Sequence, residues 1–143
     1  MEIRTVEYNS VEYVEMVELR NTVLLEPIGF PYLEEDFEQD EESIFCGMFD
    51  QGEIIGCCVL SPLDEEDHVR LRQMAIVDQR QHQGLGSKII AFAEGVAKEH
   101  DFKEIHLIAQ CRAEGFYKNN GYQAYGEVFM DAGVEHIMMK KSI

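Results

Sequence analysis

Gln81, His82, Gln83, Gly84, Leu85, Gly86, Ser87 and Lys88 stand between an apolar run and an amphipathic one, and residues of these types at this spacing can hold an anion. Two glycines let the backbone approach a ligand closely, and the first N–H groups of a following helix have no partner inside that helix. The chemistry implied is phosphate binding at a strand-to-helix junction. Nucleotide loops fit this segment poorly. A Walker A loop needs GxxxxGK[ST], whereas Gly86 is followed by Ser87 and then Lys88, and a dinucleotide fingerprint needs a third glycine where Ile89 stands.

The other reactive residue types are dispersed. His68, His82, His100, His106 and His136 lack metal-ligand spacing, so structural or solvated roles are expected and no metal is expected. Cys46, Cys57, Cys58 and Cys111 form no CxxC pair, and three of them lie in apolar, strand-like runs, which reads as core thiols in a reducing compartment.

Charge is divided unevenly along the 143 residues. Residues 1–67 hold 19 acidic against 2 basic side chains, and residues 68–143 hold 9 against 10, so the net charge of −16 belongs to the first half. Glu34, Glu35, Asp36, Glu38, Asp40, Glu41 and Glu42 form the densest acid, which repels a nucleic-acid backbone and attracts cations. Two readings of that acid stay open: a solvated face that keeps the protein soluble, and a rim that attracts a cationic substrate. No run is apolar enough for a membrane span and no charged-then-apolar leader opens the chain, so a cytoplasmic address and no membrane partner are expected.

The elements that must position the loop can be read from periodicity. Residues 2–8 read as a strand. Asn9 can cap a helix with Glu12 three residues on, and Tyr13, Met16, Val17, Arg20 and Leu24 recur at helical spacing until Pro27. Residues 27–42 carry Gly29 and Pro31 among acids and read as a loop. Ser43–Phe49 and Glu53–Leu60, joined across Gly52, give a hairpin, and Val69–Val77 adds a third strand to an antiparallel meander. Leu85, Ile89, Ile90, Ala93, Val96 and Ala97 then line one face of a helix, and Ile105, Leu107 and Ile108 give a strand, implying a parallel crossover. A short helix over 112–120 ends at Gly121, and two strands around 123–130 and 136–140 close the chain.

With the loop in this context, Gln81-x-x-Gly84-x-Gly86 after a strand and before a long helix resembles the acetyl-CoA signature of the GNAT superfamily of N-acetyltransferases. A second signature, A-x-x-F-Y-x-x-x-G-[FY], is matched by Ala113, Phe116, Tyr117, Gly121 and Tyr122. The resemblance extends to the ElaA-like branch through Leu19, Arg20, Val23, Leu24, Leu25, Glu26, Pro31 and Tyr32, then Ala109 and Gln110, and finally Glu135, His136, Ile137, Met138 and Met139. It implies one α+β domain over residues 1–143, a mixed six- to seven-stranded sheet flanked by about four helices.

The resemblance also implies the site. The pyrophosphate of acetyl-CoA would meet the backbone of Gln81, His82, Gln83, Gly84, Leu85, Gly86 and Ser87, and the pantetheine arm would lie along Met74, Ala75 and Ile76 like an added strand. Arg80 and Lys88 add charge nearby, with solvation the blander role for each. Gln110 stands where many relatives have asparagine. Tyr117 occupies the position of the general acid, the alternative being a buried tyrosine packed beside Phe116. Deprotonating an amine of pKa near 10.4 at neutral pH costs roughly 4 kcal/mol, so a base is wanted. Val69, Arg70, Leu71, Arg72 and Gln73 hold no carboxylate where many members have a glutamate. Glu26, a water-relayed path and a plain surface role for Glu26 all stay open. The implied activity is direct acetyl transfer to a primary amine of a cationic small molecule or peptide, because no cysteine falls in either signature core. A CoA-binding regulator without catalysis and an acidic protein-interaction module are the competing readings. Oligomeric state is open, a homodimer being common in such folds.

Overall fold

The computed structural model describes residues 1–25 and 40–143. Seven strands form one mixed sheet: β1 (Glu2–Val6), β2 (Ile44–Asp50), β3 (Glu53–Pro62), β4 (His68–Ile76), β5 (Glu104–Gln110), β6 (Gln123–Asp131) and β7 (Val134–Ser142), in the spatial order β1-β2-β3-β4-β5-β7-β6. Among the described strands, only β4 and β5 pair in parallel. Three α-helices, α1 (Val11–Arg20), α2 (Leu85–Glu99) and α3 (Glu114–Asn119), flank it among the described residues, with a π-helical turn over Asn21–Leu25 and short 3₁₀ turns at Asp78–Arg80 and Cys111–Ala113. This is the mixed sheet with flanking helices expected from the sequence.

Alternation along the strands divides the core between the two sheet faces. Cys58 and Leu60 pack with α2, through Ile89, Ile90, Ala93 and Ala97, while Cys57 and Val59 pack with α1, through Tyr13, Met16 and Val17. The six residues expected on the inner face of α2 are all buried. Cys46, Cys57 and Cys58 are wholly buried, as the apolar runs around them suggest.

Local chemistry shifts some boundaries. Ser10, not Asn9, caps α1: its Oγ accepts from Tyr13 N–H at 3.1 Å and its hydroxyl donates to the Glu7 carbonyl at 2.7 Å. Asn9 instead takes the left-handed turn after β1, φ +63°, a conformation that asparagine tolerates better than most residues. That turn ends β1 two residues before the expected limit. The helix expected from 112 begins as a 3₁₀ turn and becomes α3 at Glu114, and Gly121 terminates it at φ +92°, as its glycine suggested.

Two departures from regular pairing shape the sheet around the loop. Between Cys57 and Val59 of β3 the partner residues jump from Ala75 to Arg72, so β4 carries one extra residue, and Gln73 absorbs it at φ +53°. The bulge re-aims the end of β4. Before the bulge, the parallel pairing of β4 with β5 spans only His68–Arg70 against Glu104–His106, after which the two strands part.

Candidate active site

The parting of β4 and β5 opens a cleft of about 1020 Å³. Met74, Ala75 and Ile76 form one wall and Ala109 and Gln110 the other. On this side the backbone of residues 74–76 has no strand partner among the described residues, so its groups not already bonded can pair with an extended ligand; the Ile76 carbonyl already accepts from the Gln81 amide. At the mouth stand Gln81, His82, Gly84, Leu85, Gly86 and Ser87, and Tyr117 faces the same space from α3. Gln83 is not part of the lining; its amide reaches back to the Gln79 carbonyl at 3.5 Å. Glu26 lies outside the described residues.

The loop is shaped by its own side chains and backbone. The Gln81 amide donates to the Ile76 carbonyl at 3.0 Å and to Asp78 Oδ1 at 3.2 Å, tying the loop to the end of β4. Gly84 sits at the N-cap of α2 with φ +77°, and no side chain bonds the first turn of that helix. The outward N–H groups of this turn therefore remain available to an anion. Gly86 has a different reason for being glycine: an added Cβ would lie 3.0 Å from Phe116 Cζ. It lets α2 approach α3 closely.

Charge on the described walls is positive. Arg72, Arg80 and Arg112 line the cleft, with His82 and His136, and no carboxylate does so among the described residues. In a chain of net charge −16 this is a local reversal suited to a polyanion. Arg80 is held by Asp50 at 2.8 Å rather than simply solvated, and Arg72 by Asp40 at 2.6 Å; Lys88 does not line the cleft. Arg72, Arg112 and His136 were missed as cleft residues because each reaches the cleft through pairing or a turn distant in sequence; His136 lies opposite Gln110 in the β5–β7 register.

Tyr117 is the phenol of the site. Its ring packs edge-on against Phe116 at 5.1 Å and Tyr122 at 6.0 Å, and its hydroxyl has no hydrogen-bond partner among the described residues. Burial, reinforced by the neighbouring Cys58 thiol, pushes its pKa up to about 12, so it holds its proton across the neutral range. The cysteines are poor nucleophiles by the same physics. Burial pushes Cys57 up to about 12, the bond to Cys46 and then burial raise Cys58, and Cys111 is raised by desolvation and by Glu135 and Glu114.

Residues 18–143 match the family described as Acetyltransferase (GNAT) domain. The chain belongs to this family. Among curated relatives, the chain is 34% identical over 74 residues to the uncharacterized protein YyaT of Bacillus subtilis (strain 168), an alignment covering 52% of this chain and 50% of that protein. The chain thus spans about half the length of this relative. Its fold matches that of Escherichia coli ElaA with a TM-score of 0.85 at 19% identity, over 98% of each chain. It also matches an aminoglycoside 6'-N-acetyltransferase complexed with coenzyme A, with a TM-score of 0.84 at 18% identity, over 99% of this chain and 97% of the other.

Proposed function

We propose that this GNAT domain transfers acetyl from acetyl-CoA directly to a primary amine, with both substrates bound together in the cleft between β4 and β5. The observation that carries the reading is the convergence, in one cleft, of an unpaired strand edge at residues 74–76, a helix N-terminus with its N–H groups open at Gly84–Ser87, and the protonated phenol of Tyr117. An extended amide-bearing arm would bond the first, a pyrophosphate the second, and a departing thiolate the third. Direct attack is preferred because the thiols are buried or raised in pKa. CoA in the related aminoglycoside enzyme supports the same cofactor here.

The test is thiol release from acetyl-CoA across a panel of amines, with native mass spectrometry for bound CoA. Thiol release with an amine supports the reading. Bound CoA with no amine ever acetylated would favour a regulator without catalysis, and a salt-sensitive protein partner with no CoA affinity would favour an interaction module. A cationic acceptor is preferred because residues 1–67 carry 19 acidic side chains against 2 basic ones. Polyamines and basic peptides acetylated no better than neutral amines would remove that preference.

Gly84→Ala is expected to raise the Kd for CoA about tenfold by calorimetry. A side chain at φ +77° costs roughly 1–2 kcal/mol of strain, which binding must overcome to keep the N-cap in place. An unchanged Kd would detach the loop from phosphate binding.

Two residues compete for the role of base. His136 donates from Nδ1 to the Val134 carbonyl at 2.8 Å, which leaves Nε2 with its lone pair and no partner among the described residues. Glu26 comes from the family resemblance alone. Replacing each by glutamine in turn is expected to lower kcat about a hundredfold for the true base and less than threefold for the other. Equal, small effects in both would leave a water-relayed path as the route.

A further inference from the structure

The face of the sheet opposite α2 is covered by α1 over the first strands, but at the start of β4 and β5 it carries His68, Arg70, Glu104 and His106. His68 on β4 and Glu104 and His106 on β5 meet there, and one donor atom from each lies within 4.8 Å of the others. His106 Nε2 stands 3.1 Å from His68 Nδ1 and 3.1 Å from Glu104 Oε1, while His68 Nδ1 stands 3.2 Å from Glu65 Oε2. The two histidines and Glu104 are mostly buried, and Glu65 reaches in from the exposed turn before β4.

Hydrogen bonding satisfies this arrangement only if the exposed Glu65 side chain turns away from His68. If His68 Nδ1 carries the proton shared by the two rings, the lone pair of His106 Nε2 faces a Glu104 oxygen. If His106 Nε2 carries it, the lone pair of His68 Nδ1 faces a Glu65 oxygen. If both carry protons, two N–H groups confront each other at 3.1 Å. With Glu65 where it stands, each assignment leaves one like-with-like contact, whereas a cation among the donors removes all of them. The spacing is also right for such an ion. Zinc bonds to nitrogen and oxygen of about 2.0–2.1 Å place tetrahedral ligands roughly 3.3 Å apart, close to the 3.1 Å that separates His106 Nε2 from His68 Nδ1 and from Glu104 Oε1, and all three donor atoms lie within 4.8 Å of one another.

We propose that His68 Nδ1, His106 Nε2 and Glu104 form a zinc-class metal site that clamps β4 to β5. Two imidazoles with a carboxylate select a borderline transition ion over magnesium or calcium. The surroundings supply an orienting partner: His106 Nδ1 lies 2.9 Å from the Tyr125 hydroxyl, so with the metal on Nε2 the Nδ1–H donates to that oxygen and fixes the ring. Lys140 Nζ, 4.0 Å from Glu104 Oε1 and 5.0 Å from the Tyr125 ring centre, is the competing cation. The site holds the three-residue parallel pairing at the closed end of the cleft, six residues along β4 from Met74, or roughly 20 Å at the rise of a strand. Its role is therefore structural, setting where the strands begin to part. Sequence spacing concealed it, because 38 residues separate the two histidines and strand pairing alone brings them together.

Metal-free full-length protein should take up one equivalent of zinc in competition with a chromophoric chelator, and one equivalent of cobalt with the intense visible bands of a tetrahedral ion. His68→Gln and His106→Gln should each weaken zinc at least about a hundredfold, Tyr125→Phe should weaken it about tenfold to a hundredfold, and Lys140→Gln should tighten it. Circular dichroism checks that each variant is folded. Should the histidine variants fail to fold, the cobalt spectrum and the Lys140→Gln change still decide the matter. Zinc binding that persists in both histidine variants, a pale octahedral cobalt spectrum, or no tightening in Lys140→Gln would overturn the proposal.

Discussion

Tyr117→Phe is expected to lower kcat at least about a hundredfold while leaving the Kd for CoA within about threefold. The substitution is clean because the phenol and its replacement share a ring, and that ring keeps its edge-on contacts with Phe116 and Tyr122. The hydroxyl has no protein partner among the described residues, so its removal strands no buried donor or acceptor. Stability should therefore stay within about 1 kcal/mol of wild type. The pH profile gives an independent reading. Since burial raises the phenol's pKa to about 12, the acid form is present at every pH below that value, and Tyr117 contributes no descending alkaline limb in the ordinary assay range. The rate should rise with pH as the acceptor amine loses its proton. Tyr117→Phe should lower this curve without changing its shape; a change in shape below pH 10 would mean that the group removed was titrating there, and unchanged turnover would remove Tyr117 from the acid role.

Features carried by local chemistry were legible in the sequence. Gly52 between two β-rich runs marked the hairpin, the apolar series from Leu85 to Ala97 marked the buried face of α2, and the left-handed Gly121 marked the end of α3. The loop at Gly84 and Gly86 was legible for the same reason, although glycine type alone could not separate the two roles. One answers to a positive φ and the other to the Phe116 ring. What stayed hidden depends on contacts between distant segments. The bulge in β4 sits on Gln73, a residue with no left-handed preference, and is imposed by pairing with β3. Arg112 and His136 look like ordinary surface residues until β5 and β7 bring them to the cleft, and His68 reaches His106 only because β4 and β5 run parallel.

Asp40→Asn is expected to cost about 3–5 kcal/mol, lowering Tm by roughly 10–20 °C in a domain of this size. In the sequence Asp40 is one acid among many, in a run that reads as a solvated face or a cation-attracting rim. In the fold it is wholly buried. Its carboxylate accepts from the Tyr13 hydroxyl at 2.5 Å, from Arg20 Nη1 at 2.9 Å and from Arg72 Nη2 at 2.6 Å, and the Arg20 side chain is itself fully buried. Losing the negative charge removes the buried carboxylate that Arg20 and Arg72 share, which is far more costly than losing an exposed pair. Arg20→Met should cost less, because it removes a buried charge while Asp40 keeps Arg72 and Tyr13. Thermal melts of the two variants test that ordering, and Arg20→Met proving the more damaging would show that packing of the arginine stem, rather than compensation of charge, holds this junction. The same carboxylate fixes Arg72, whose Nε also donates to Ser61 Oγ at 2.7 Å and whose side chain lines the cleft. Asp40→Asn should therefore weaken turnover even at temperatures where the variant remains folded, linking the residue that follows 26–39 to the wall against which the substrates would meet.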